Sequence, residues 1–154
     1  MNDKFKFNDF EIDFKKPLGE GGFGAVYKAT EKKTGKVYAI KRFSIDKLED
    51  EEIDNMIFMN NCENSIKYYG SFKEENLIYL IMELCDCSLE QKIKNKKLSI
   101  KEIKEILEQL NNVFKVMYNK AIIHRDINPK NILILFFFYI LTYFRLGMRI
   151  EVWA

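Results

Sequence analysis

In the stretch "FEIDF", Phe10, Ile12 and Phe14 alternate with acidic residues, the period-two pattern of a half-buried strand. Pro17 follows closely and has no N–H to give to a ladder, so this strand is expected at a sheet edge. "AVYKA" at 25–29 predicts a second strand and "VYAIKRF" at 37–43 a third, with Gly35 in the turn between them. Residues 44–59 are acid-rich and carry Ile45, Leu48, Ile53, Met56 and Met59, a spacing that suits a helix. "IKYYGSF" at 66–72 and "LIYLIMEL" at 77–84, separated by the polar "KEEN", read as a further strand pair. The first half therefore predicts a small, mostly antiparallel sheet of five strands with one helix.

From residue 99 the period lengthens. Ser99 and Glu102 have the Ser-x-x-Glu spacing of a capping box. Ile103, Ile106, Leu107, Leu110, Val113, Phe114 and Met117 then form one stripe at helical period, which is ordinarily core packing. Residues 132–144, "ILILFFFYILTYF", carry no charge and are rich in strand-forming residues. The run is well short of the roughly 20 residues that cross a bilayer, so no membrane span is expected. Sheet first and helix second make the fold class α+β.

Composition narrows the function. The 154 residues are one domain's worth, and the formal net charge of +2, with acids and bases mixed, gives no footing for a nucleic-acid binder. Cys62, Cys85 and Cys87 are an odd set without a secretory leader ahead of them, which predicts reduced thiols and a cytoplasmic chain. Cys85-x-Cys87 lacks zinc-ligand spacing, and the single histidine, His124, is distant in sequence.

The candidate chemistry begins at "LGEGGFGAVYKA", residues 18–29, with Gly19, Gly21 and Gly24 in a Gly-x-Gly-x-x-Gly spacing. Glycines let a backbone approach phosphates closely, because no Cβ intervenes and amides can face the oxygens. A dinucleotide fold requires a helix directly after the glycines, and here a strand follows. A Walker loop requires Gly-Lys-Ser/Thr, which is absent. Further along stand Ala39-Ile40-Lys41 at the end of the third strand, then His124-Arg125-Asp126 with Asn131 five residues beyond Asp126.

This ordered set resembles the protein kinase family, and the resemblance runs over nearly the whole chain. It implies ATP as ligand, with Leu18, Gly19, Glu20, Gly21 and Gly22 together with Phe23, Gly24, Ala25 and Val26 over the nucleotide. Leu18, Val26 and Ala39 would roof the adenine and Leu133 would floor it. Lys41 would meet the α- and β-phosphates and pair with a helix glutamate, Glu52 or else Glu51. Met82 would guard the back of the pocket, and Glu83 and Cys85 would offer backbone groups to adenine. Asp126 would accept the proton of a protein hydroxyl, and Asn131 would ligate Mg²⁺. A local likeness of the first half to the stress-responsive kinases of translation initiation factor 2 rests on "KYYGSF" and "MELCDCSLEQKI".

Two departures bear on activity. The family's serine/threonine members have a lysine two residues after this aspartate, which helps hold the γ-phosphate, and here the residue is Asn128. "ILTYFRL" at 140–146 occupies the place of the family's Asp-Phe-Gly stretch, putting Tyr143 at the metal-binding aspartate and Arg145 at the glycine. Neutral tyrosine is a poor ligand for Mg²⁺, so the metal site is expected to be impaired. The resemblance implies a partial kinase domain, with residues 1–83 as the N-lobe and 84–154 as the hinge and start of a helical C-lobe. On that reading the substrate platform is missing, the chain alone is inactive or very weak, and apolar surface is left to self-associate. Two other readings stay open: a nucleotide-holding pseudokinase that regulates a protein partner, and a gene-model or splicing product altered over 132–154.

Overall fold

A computed structural model describes residues 5–22, 24–47, 50–135 and 138–141, with backbone alone at 47, 50–52 and 138–141. The chain divides into two compact units, Met1–Leu48 with Lys67–Leu84, and Glu49–Ile66 with Cys85–Ala154.

The first unit is a five-stranded antiparallel sheet. Its strands are β1 (Phe10–Gly21), β2 (Gly24–Glu31), β3 (Val37–Ser44), β4 (Tyr68–Glu74) and β5 (Leu77–Met82), in the spatial order β1-β2-β3-β5-β4. The proline-bearing β1 lies at the edge as expected, and its register against β2 shifts on either side of Pro17. Because residues opposite one another share a face, the register sorts the side chains. Ile40 faces Tyr27 and Ile81, and Phe72 faces Tyr79, on one side of the sheet. That side is an aromatic core in which Phe5 and Phe10 are buried, Phe7 packs against them, and the Phe72 and Tyr79 rings stack at 4.8 Å. On the other side lie Val26, Lys41 and Leu80 in one row, and Lys28, Ala39 and Met82 in the next.

Two first-half expectations need adjustment. The helix expected over 44–59 is α1, Asp50–Met59; Ile45–Lys47 is a short 3₁₀ turn instead. The Ile45 N–H donates to the carbonyl of Asn76 at 2.9 Å, across to the β4–β5 turn, and ties this 3₁₀ turn to the sheet. Leu48 lies outside the described residues. Half of the "KEEN" segment is strand: Lys73 and Glu74 extend β4, and Glu75 and Asn76 turn, with Glu75 in the left-handed region at φ 52°.

The second unit holds α1, the short strand β6 (Cys87–Ser88), α2 (Leu89–Asn95), α3 (Ile100–Asn119), β7 (Ile132–Leu135) and β8 (Phe138–Leu141). Antiparallel pairing joins β6, β7 and β8 in that order. Ser99 caps α3 as its spacing foretold: its Oγ accepts from the Glu102 N–H at 3.2 Å, and Glu102 accepts from the Ser99 N–H at 2.9 Å. The apolar stripe of α3 divides. Ile106, Leu110, Val113 and Met117 are buried, whereas Ile103 and Leu107 on its flank are exposed. Seven apolar positions cover more of the helix circumference than one packing face can take. The helix α2 escaped the sequence reading, although Ser88 and Gln91 have a capping-box spacing of the same kind and form the box.

Candidate functional site

In the first unit, Gly21 pairs with Gly24 and Gly19 with Val26, so the glycines form a tight hairpin between β1 and β2 with Gly22 in its turn. Phe23 lies outside the described residues. Gly24 sits at φ 111°, and a Cβ there would collide with the Arg42 carbonyl oxygen and stand 2.8 Å from the Phe43 Cβ. Glycine is required at that position by the chain's own packing. At Gly19 and Gly21 a Cβ would meet no atom within 4 Å, so protein packing does not demand glycine there. Leu18 and Glu20 are exposed on β1, and Ala25 and Val26 are half-buried on β2.

Lys41 is 3% exposed, on the sheet face it shares with Val26, and its ammonium lies 5.0 Å from the Phe43 ring centroid. Ala39 and Met82 are both buried and stand directly opposite each other. The Glu83 N–H donates to the Lys67 carbonyl at 2.9 Å. Although Glu83 as a residue is only half-buried, its Oε2 is shut from solvent with no hydrogen-bond partner among the described residues. Burial pushes its carboxyl above the ordinary range, against the pull of the Lys67 N–H and the Lys67 and Lys36 charges.

Sequence reasoning missed Arg42. Its guanidinium lies 5.1 Å from the Phe14 ring centroid and 5.0 Å from that of Tyr27, and it donates to the Tyr27 hydroxyl at 3.0 Å. The signal was present only across strands, as a basic residue whose register places it among aromatics.

In the second unit, the segment after α3 carries His124-Arg125-Asp126. His124 is 2% exposed, and its Nδ1 accepts from the Asp126 N–H at 3.2 Å. Arg125 between them has φ 63°, a left-handed conformation that costs an L-residue about 1–2 kcal/mol. Such strain persists only where surrounding bonds over-determine it. Here those bonds converge on Asp126. The Asn131 Nδ2 donates to the Asp126 carbonyl at 2.8 Å and to its Oδ2 at 2.9 Å, and Asn131 itself is buried. Leu133 is half-buried on β7 opposite Ser88, and Cys85 is half-buried just ahead of the bond from the Asp86 N–H to the Ile134 carbonyl. The side chains of Glu51 and Glu52, those of the Phe136–Phe138 run, and Tyr143 and Arg145 lie outside the described residues.

Among the described residues no group of three or more His, Cys, Asp or Glu side chains could hold a metal. Mg²⁺ is ordinarily held by one or two carboxylates together with substrate phosphates and waters, and the described residues offer it the carboxylate of Asp126 and the carboxamide of Asn131.

A glycine hairpin beside a buried strand lysine in the first unit, and in the second a His-Arg-Asp segment whose aspartate is held by an asparagine five residues on, are each motifs of the protein kinase family. The protein kinase domain family matches residues 12–136, and the chain belongs to that family. It is similar to an Aurora kinase of Schizosaccharomyces pombe, 36% identical over 140 residues, covering 85% of this chain and 39% of the relative. It is also similar to the serine/threonine-protein kinase KIC1 of Saccharomyces cerevisiae, 36% identical over 124 residues, covering 76% of this chain and 12% of the relative. The chain thus spans well under half the length of these relatives. Neither name bears on the likeness to the initiation-factor kinases.

Proposed function

We propose that the chain binds ATP through the glycine hairpin, Lys41 and the Ala39–Met82 row, and that its phosphotransfer is impaired by Tyr143 and Arg145. The observation that carries the reading is the burial of Lys41 on the face it shares with Val26, beside a hairpin whose Gly24 no other residue can replace. In the family's reaction a serine or threonine hydroxyl oxygen bonds to the γ-phosphorus, the bridging bond breaks, and ADP leaves. Asp126 takes the hydroxyl proton, and Lys41 holds the α- and β-phosphates. Tyr143 stands in the place of the anionic ligand that Asn131 would need beside it to hold Mg²⁺. Nucleotide binding should therefore be weak and only slightly dependent on Mg²⁺.

Lys41→Met is expected to abolish ATP binding in titration calorimetry while the far-UV spectrum stays unchanged. Unchanged affinity in a folded sample would remove Lys41 from the site. A second reading, a nucleotide-holding module that regulates a protein partner without turnover, is favoured by the same Tyr143 and Arg145. Radiolabelled phosphate transfer that vanishes in Asp126→Asn would decide against it. A cytoplasmic location and association through apolar surface complete the proposal. Among the described residues no helix is long and apolar enough to cross a membrane.

A further inference from the structure

Asn128 stands where the family's serine/threonine members carry a phosphate-binding lysine, and its side chain is fully engaged elsewhere. The Lys130 N–H donates to Asn128 Oδ1 at 2.9 Å. That bond fixes the oxygen end of the carboxamide and turns the nitrogen end towards Asp126. There Nδ2 donates to Asp126 Oδ1 at 2.8 Å and reaches the Asp126 carbonyl at 3.3 Å. Asn131 repeats the arrangement on the other carboxylate oxygen, 2.9 Å from Oδ2 and 2.8 Å from the same carbonyl.

We propose that Asn128 is a positioning residue for Asp126: with Asn131 it forms a two-carboxamide clamp on the aspartate, and it does not hold a nucleotide phosphate. The proposal deepens the reading of Asp126 as proton acceptor and rests on it. The carboxylate torsion of an aspartate is broad, so an unrestrained group samples many planes. One donor on each oxygen, with both donors also tied to the main-chain carbonyl, fixes the plane and the chain beneath it. An ionised carboxylate has about four lone-pair sites, so two donors leave capacity for a substrate hydroxyl. A lysine here would bring a charge long enough in reach to meet a phosphate. The neutral, shorter asparagine trades that charge for orientation.

Asn128→Asp separates this role from a merely structural one. It keeps the oxygen that accepts from the Lys130 N–H, so the turn survives, but it replaces the donor with a like charge against Asp126. The readouts are the side-chain amide signals of Asn131 in ¹H–¹⁵N spectra and the affinities for ATP and ADP. Asn128→Asp is expected to shift the Asn131 amide signals and to speed their hydrogen exchange about threefold or more. In Asn128→Ala the ratio of ATP to ADP affinity should stay within about twofold of the wild type. Should Asn128→Asp not fold, Asp126→Asn must shift the amide signals of both Asn128 and Asn131. A loss of ATP relative to ADP affinity of about tenfold in Asn128→Ala would assign Asn128 to the γ-phosphate and overturn the proposal. Unmoved Asn131 signals in a folded Asn128→Asp or Asp126→Asn sample would overturn it as well. A wild-type chain that shows the coupled amide signals but binds no ATP would uphold the clamp and remove the nucleotide reading alone.

Discussion

Gly24 and Gly19 belong to one motif but answer to different constraints. Gly24 is held by the chain itself, through its positive φ and the close carbonyl of Arg42. Gly19 has open space where a Cβ would go, and its backbone is ordinary strand. Gly24→Ala is therefore expected to destabilise the fold by more than about 1 kcal/mol in urea denaturation. Gly19→Ala should leave the urea midpoint nearly unchanged and act on ATP affinity, measured by titration calorimetry. Equal destabilisation by both would contradict the division. Residue identities at these motifs were legible in the sequence because glycine, Lys41 and His124-Arg125-Asp126 each announce a backbone or chemical need by type and spacing. The left-handed Arg125 and the engagement of Asn128 were not legible, since both depend on where hydrogen bonds close in space.

At the scale of elements, α3 is defined by its two ends. At its start the Ser99 N–H, then the Ser99 hydroxyl and the Lys92 ammonium, hold the Glu102 carboxyl down at about 2 from its ordinary 4.5. The folded value lies below the unfolded one, so this contribution is present above the ordinary value and is lost as pH falls from 4.5 towards about 2. Glu102→Gln should lower the thermal midpoint at pH 7, and the gap to wild type should close on acidification through that window. A gap that is constant with pH would show that the carboxylate charge is not the cause. At its end, α3 closes with a Schellman pair: the Ile122 N–H reaches the Met117 carbonyl at 2.9 Å and the Ala121 N–H reaches Tyr118 at 3.0 Å. Ala121 holds φ 53° without being glycine. Ala121→Gly should stabilise the chain by up to about 1 kcal/mol in the same denaturation assay. Alternation in β1, the turn-bounded apolar runs of β2 to β5 and the stripe of α3 made most of the longer elements readable. The start of α1 was not legible, since the acid-rich, apolar-spaced run begins as a 3₁₀ turn at Ile45–Lys47 and α1 itself begins only at Asp50.

Among the described residues, α3 carries a row of exposed apolar side chains. Ile100 is 76% exposed and Leu107 61%, with Ile103 on the same stripe. Removing such area from water gains about 25 cal/mol per Å², so the chain as given is expected to self-associate. Leu107→Lys, and separately Phe136→Lys with Phe138→Lys, should raise the monomer fraction in size-exclusion chromatography. A wild-type chain that stays monomeric at high concentration would show that this surface drives no association. The aromatic side of the five-stranded sheet has a consequence of another kind. Tyr27, Tyr38 and Tyr79 each pack against a phenylalanine ring in the first unit, while Tyr118 of the second is exposed. The three α-helices of the described residues, by contrast, all belong to the second unit. Ordered tyrosines give near-ultraviolet circular dichroism, and helices dominate the far ultraviolet. Among the described residues the near-ultraviolet band therefore weights the sheet and the far-ultraviolet band the helices, and a single heating scan recorded in both compares the melting of the two.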